Sequence, residues 1–117
     1  MNILFIGLGG FLGAISRYLL NELVIKYIPT NFPTGILIVN ILGCLVIGLF
    51  LGNSIISKDH IYYFFGIGFL GSFTTMSAFS YQTIELFNTN ILIACSYIIL
   101  TLALTILATY IGINFSK

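Results

Sequence analysis

Charge is what this chain has least of. Asp, Glu, Lys and Arg make up 6% of its 117 residues, and there is one histidine. The acids Glu22, Asp59 and Glu85 fall at the ends of apolar runs and His60 falls in a connection, so no buried acid–base pair and no metal-ligand cluster can be assembled from them. The sequence therefore does not read as an enzyme. The formal net charge of +1 offers no basic patch to nucleic acid and no acidic patch to cations. Cys44 and Cys95 stand in apolar runs without metal-ligand spacing and read as buried thiols. Both prolines are confined to residues 26–33, a connection, so no run contains one.

What is abundant is apolar surface: 59% hydrophobic residues and a mean hydropathy of +1.14. It is arranged in four runs, residues 3–25, 34–56, 61–84 and 91–113, each near the roughly 20 residues that a hydrocarbon core demands of a crossing helix. The first run lacks a basic leader, continues past Arg17 and is followed by three comparable runs, so it does not read as a cleaved signal peptide. The connections 26–33, 57–60 and 87–90 leave no room for a second domain. The expectation is one all-α integral membrane domain over residues 1–117, multi-pass, in the cell membrane.

The third run departs from this plan. Residues 66–79 read G-I-G-F-L-G-S-F-T-T-M-S-A-F. Gly66, Gly68 and Gly71 each lower helix propensity by up to about 1 kcal/mol relative to alanine. Ser72, Thr74, Thr75 and Ser77 then supply hydroxyls that compete for backbone partners. The pattern predicts a helix broken near its middle. Irregular backbone at membrane depth is tolerated only where it is buried in protein or lines a cavity, so the break points to an ion or substrate site.

Other polar positions stand out because their surroundings are so apolar. Gly9 and Gly13 form a small-xxx-small face suited to close helix packing, as do Gly48 and Gly52; with no strand before it, the first glycine group is not a phosphate loop. Arg17 lies inside the first run, where a charge costs at least about 2.5–3.5 kcal/mol on insertion scales, and it reads either as a structural anchor or as an attractor of anions. Asn40 stands among aliphatic residues and must find a partner, through an interhelical hydrogen bond or in a pore lining. Tyr97, Thr101, Thr105 and Thr109 repeat every fourth residue and share one helix face. That stripe either satisfies itself on preceding-turn carbonyls or forms a row of neutral donors beside a permeation path.

A proton-coupled small multidrug transporter matches the length and the number of runs. It requires a carboxyl at mid-membrane, and none of the acids is so placed. A structural or lytic membrane peptide explains the hydrophobicity and leaves residues 66–79 unexplained.

Three segments in order, G-G-F-L-G-A-I-S-R-Y (9–18), T-G-I-L-I-V-N-I-L-G (34–43) and G-F-L-G-S-F-T-T-M-S-A-F-S (68–80), resemble the fluoride channel family called Fluc or CrcB, and the likeness covers nearly the whole chain. The resemblance implies a four-helix subunit that pairs antiparallel with a second and forms two narrow fluoride pores. It also implies a structural, untransported Na⁺ held by the main-chain carbonyls of Gly71 and Thr74. On the same grounds Asn40 and Ser77 fall on the family's pore positions, and Met76 and Phe79 on its aromatic box. The chain departs from the family where phenylalanine is usual and Met76 stands, where threonine is usual and Ala78 stands, and where glutamate is usual and Gln82 stands. The implied function is passive fluoride export across the lipid bilayer.

Orientation is weakly specified. Lys58 and Lys117 lie on the side of the N-terminus and Lys26 on the other, with Arg17 inside a run, a bias too small to fix topology by loop charge. Dual insertion and an antiparallel homodimer follow as the expectation. The alternative is that this chain is the scaffold-type subunit of a heterodimeric fluoride channel, paired with a homologue.

Overall fold

The computed structural model describes residues 2–52 and 59–116. Two helices, α1 (Asn2–Tyr27) and α2 (Thr34–Leu51), are joined by the proline-bearing connection. A widened, π-helical segment follows, Tyr62–Leu70, and runs directly into the short turn α3 (Gly71–Phe73). The chain then leaves the helix and re-enters it as α4 (Met76–Thr89) before the last helix, α5 (Ile91–Ser116). Among the described residues, three helices are long and apolar enough to cross a membrane: α1, α2 and α5.

These elements refine the four runs read from the sequence. The third run is divided into three pieces, none of which spans a bilayer by itself. The second run's helix closes at Leu51 with Gly52 as its C-cap, and residues 53–56 of the expected run lie outside the described residues, as do Lys58 and Lys117. The connection expected over 87–90 shrinks to Asn90 alone, because Asn90 Oδ1 accepts from the Leu92 amide at 3.0 Å and so caps α5 one residue after α4 ends. Asp59 Oδ1 does the same for the start of the third run, accepting from Ile61 N at 3.1 Å and Tyr62 N at 3.2 Å. Such caps satisfy amides that a helix start leaves free.

Packing is backbone against backbone, and glycine makes it so. A Cβ on Gly9 or Gly13 would run into the carbonyl oxygens of Phe64 and Phe69 on the π-helical segment, and one on Gly68 would lie 2.6 Å from the Ile6 carbonyl of α1. Across the molecule, Gly48 of α2 abuts the Thr109 carbonyl and Gly112 of α5 abuts the Leu45 carbonyl. No glycine among the described residues has positive φ. Their role is close approach, the property expected of small residues between membrane helices. Phe65, Phe69 and Phe73 stack along one face of the third run, with ring centroids 5.5 and 5.9 Å apart.

The buried centre is small and lies where α2, α4 and α5 meet. Leu37, Phe79 and Tyr97 form it, with the Phe79 and Tyr97 rings 5.1 Å apart and Phe32 of the first connection set edge-on to Tyr97 at 5.5 Å.

Candidate functional site

Thr74 and Thr75 are where the chain leaves helical geometry, with φ/ψ of −82°/153° and −148°/121°. Their peptide groups need partners other than the helical ladder, and Asn40 of α2 supplies two. Its Nδ2 donates to the Thr75 carbonyl at 3.1 Å, and its Oδ1 accepts from the Thr75 amide at 2.8 Å. One side-chain amide thus acts as a surrogate strand for one residue. An amide among aliphatic side chains requires a partner, and for Asn40 the partner is this extended stretch.

The hydroxyls of the segment complete the arrangement. Thr75 Oγ1 accepts from Ala78 N at 3.2 Å and so caps α4, and it also lies 3.1 Å from Ser77 Oγ. Thr74 Oγ1 donates back to the Leu70 carbonyl at 3.1 Å. A consequence concerns two carbonyls. In a continuous helix the amides of Thr75 and Ala78 would reach the carbonyls of Gly71 and Thr74; here those amides go to Asn40 and to Thr75 Oγ1 instead.

The glycines that signal a break in the sequence do not form it. Gly66 and Gly68 sit within the π-helical segment and Gly71 within α3. Gly66 packs on Phe50, so close that an added Cβ would lie 3.0 Å from the ring, whereas beside Gly71 there is open space.

The stripe on α5 divides. Tyr97 is wholly buried and donates its hydroxyl to Gln82 Oε1 of α4 at 2.9 Å. Thr105 donates to the Thr101 carbonyl, and Thr109 donates to the Cys44 carbonyl of α2 at 3.2 Å and the Thr105 carbonyl at 3.1 Å. Thr101 is the exception: it is 6% exposed, and its Oγ1 has no hydrogen-bond partner among the described residues. A buried hydroxyl without a partner costs about 1–3 kcal/mol, so this position is one where a bound species would be stabilised.

Phe79 is 8% exposed against Tyr97 while Met76 is 67% exposed, so the structure sets the two aromatic-box positions in different environments. Ser77 is exposed beside Thr75. Arg17 is half-buried, and its Nε is shielded with no hydrogen-bond partner among the described residues. Cys44 and Cys95 are free, and Cys95 is exposed rather than buried as expected, because it faces outward on α5. At the end of the bundle formed by the first connection and the α4–α5 junction, a cavity of about 1040 Å³ opens, with Asn21, Thr34, Gln82, Glu85 and Asn90 among its lining. Gln82 is the residue that sequence alone does not mark as a site: its one signal there is the departure from the family pattern.

Helices of membrane-crossing length, glycine-mediated backbone contact and a seam of neutral hydroxyls and amides define a small multi-pass helical membrane protein built around polar groups rather than charges. The chain belongs to the CrcB family: the family model described as CrcB-like protein, Camphor Resistance (CrcB), matches residues 4–113. It is 41% identical to the fluoride-specific ion channel FluC of Flavobacterium psychrophilum, over 98% of this chain and 96% of that protein. It is 42% identical to the protein of the same name from Clostridium novyi, over 92% of this chain and 87% of that one. The Shewanella pealeana protein of that name is 34% identical over 95% of this chain and 92% of its own length.

Proposed function

We propose that this chain is a fluoride-selective channel subunit that lets fluoride leave the cell passively, lowering fluoride accumulated in the cytoplasm from its weak acid HF. The observation that carries this reading is the 34–42% identity, over nearly the whole chain, to proteins named fluoride-specific ion channels. Family membership also sets aside the multidrug transporter alternative.

The residues suit the task. A small, strongly hydrated anion needs its water replaced by donors that bind weakly enough to release it. Thr101 Oγ1, buried and unpartnered, is such a donor, and Ser77 extends the neutral row; Thr105 lies along it with its hydroxyl donating to the Thr101 carbonyl. By the family resemblance Phe79 would offer an anion its positive ring edge, whereas the thioether of Met76 offers polarizable bulk. Tyr97 contributes differently, because its proton is already engaged by Gln82. Asn40 holds the extended stretch beside them, and Arg17 is assigned a structural part. In proteoliposomes loaded with fluoride and given a potassium shunt, the protein should release fluoride well above protein-free vesicles and should not release chloride. Absence of fluoride efflux, with the chain alone and with a related subunit, sinks the reading.

Structural sodium is part of this proposal. The two carbonyls that the family resemblance assigns to Na⁺, those of Gly71 and Thr74, are the two whose helical donors are diverted, and main-chain oxygens at interrupted helices suit that cation. The ion would supply positive charge to oxygens whose helical donors are diverted at the extended stretch. Replacing Na⁺ by a large organic cation should abolish flux, while Thr74→Ser should be mild because the ligand is backbone. Full flux in sodium-free buffer counts against the site.

The assembly we favour is an antiparallel homodimer. Gly71 has open space beside it, and small-residue faces without an intramolecular neighbour suit a second copy. The exposed Met76, with Ala78 and Gln82, supports the alternative of a homologous partner subunit, which co-reconstitution in the flux assay distinguishes.

A further inference from the structure

We propose that Gly43 is a positioning residue for the Thr74 carbonyl, one of the two oxygens assigned to Na⁺; this rests on the sodium reading above. Gly43 is buried on α2, three positions after Asn40, so the two share a helix face, and both meet the extended stretch. Asn40 holds the peptide group of Thr75. Gly43 meets the residue before it: a Cβ built there would run into Thr74 Cγ2 and would lie 3.2 Å from Phe73 Cδ2. The Thr74 methyl thus occupies the space that a side chain at position 43 would need.

That methyl is not free to turn away. Thr74 is β-branched and stiff about χ1, and its Oγ1 donates to the Leu70 carbonyl at 3.1 Å, as its amide does at 3.2 Å. Rotating Cγ2 off Gly43 would take Oγ1 off that carbonyl. The next residue, Thr75, is held by Asn40 on the same face of α2. A methyl group added at 43 therefore has to be accommodated by displacing the Thr74 main chain, and its carbonyl with it. A main-chain ligand has no rotamer of its own, so whatever sets the backbone sets the direction of the oxygen. Gly43 acts on the ion through Thr74, by leaving room for its methyl.

The test uses wild type, Gly43→Ala, Thr74→Ser and the double variant, each purified with a large organic cation in place of Na⁺. Thermal midpoints in detergent are followed as Na⁺ is returned, with fluoride efflux from proteoliposomes as a second readout. A cation bound by the folded state raises the midpoint with its concentration, so the half-stabilising Na⁺ concentration reports the site, whereas a packing defect alone lowers the midpoint and leaves that concentration unchanged. Gly43→Ala should raise it at least about tenfold, equivalent to about 1.4 kcal/mol, although alanine suits a helix better than glycine does. Thr74→Ser removes Cγ2 and keeps the hydroxyl, so it should stay close to wild type. The double variant should return to within about threefold of wild type, the non-additivity expected of residues in contact. Where Gly43→Ala does not fold, the double variant should fold and respond to Na⁺. A Gly43→Ala protein with the wild-type Na⁺ requirement overturns the proposal, as does a double variant no better than Gly43→Ala. A wild type whose midpoint and flux are both indifferent to Na⁺ overturns the sodium reading itself.

Discussion

Asn40→Leu is expected to cut fluoride flux by about a hundredfold or more, equivalent to about 2.7 kcal/mol or more, and to lower thermal stability in detergent. Leucine keeps asparagine's branching pattern at somewhat greater volume but can neither donate to the Thr75 carbonyl nor accept from its amide, the bonds of 3.1 and 2.8 Å. Each unsatisfied buried group costs about 1–3 kcal/mol, and at membrane depth no water stands ready to replace the amide. The extended stretch then either refolds into a continuous helix or loses its position, and in both cases the Gly71 and Thr74 carbonyls and the α4 N-terminus move together. Asn40→Gln keeps the same groups on a stem one methylene longer and should recover stability before it recovers flux. An Asn40→Leu protein that elutes as wild type does and conducts normally would falsify this role for the Asn40–Thr75 pair.

Gly13→Ala should be among the most damaging single-methyl additions to this chain, and Gly7→Ala among the least. The new methyl at Gly13 meets the Phe69 carbonyl oxygen and lies 3.1 Å from its Cα, atoms of a packed backbone that cannot swing aside, whereas at Gly7 it meets nothing within 4 Å. Overpacking typically costs about 1–3 kcal/mol, and a clash with main chain belongs at the upper end. Gly7→Ala, by contrast, gains up to about 1 kcal/mol of helix propensity. Thermal midpoints in detergent, with helicity by circular dichroism, rank the pair; equal midpoints would refute the account of α1 lying directly on the π-helical segment.

Much of this architecture is legible in residue order, and the reasons differ from place to place. The apolar runs can be read because hydrocarbon imposes one length on every crossing helix. Asn40 stands out because an amide among aliphatic side chains has few reasons to be there. The irregular backbone lies a few residues beyond the glycines that propensity points to: Gly66 and Gly68 are both helical, since they answer to Phe50 and Ile6 on other elements. Spacing also puts Tyr97, Thr101, Thr105 and Thr109 on one face without telling which carbonyl stands opposite each. Thr109 reaches Cys44, 65 positions away in sequence, and Thr101 reaches nothing among the described residues. The bond from Tyr97 to Gln82 is out of reach for a similar reason, because it depends on α5 starting one residue after α4 ends.

The pairing of Asn40 with Thr75 also constrains the order in which the protein is made. The two residues are 35 positions apart, so when Thr75 leaves the ribosome α2 has already been synthesised, and the partner for its peptide group is waiting in the bilayer or beside the translocon. Before that meeting, the third segment carries free N–H and C=O groups that hydrocarbon does not accept. In its interrupted form it lacks the single long apolar helix that α1, α2 and α5 each offer on hydropathy and length. The interrupted form of the third segment therefore belongs to the assembled bundle, with α2 as the element that completes its backbone hydrogen bonding.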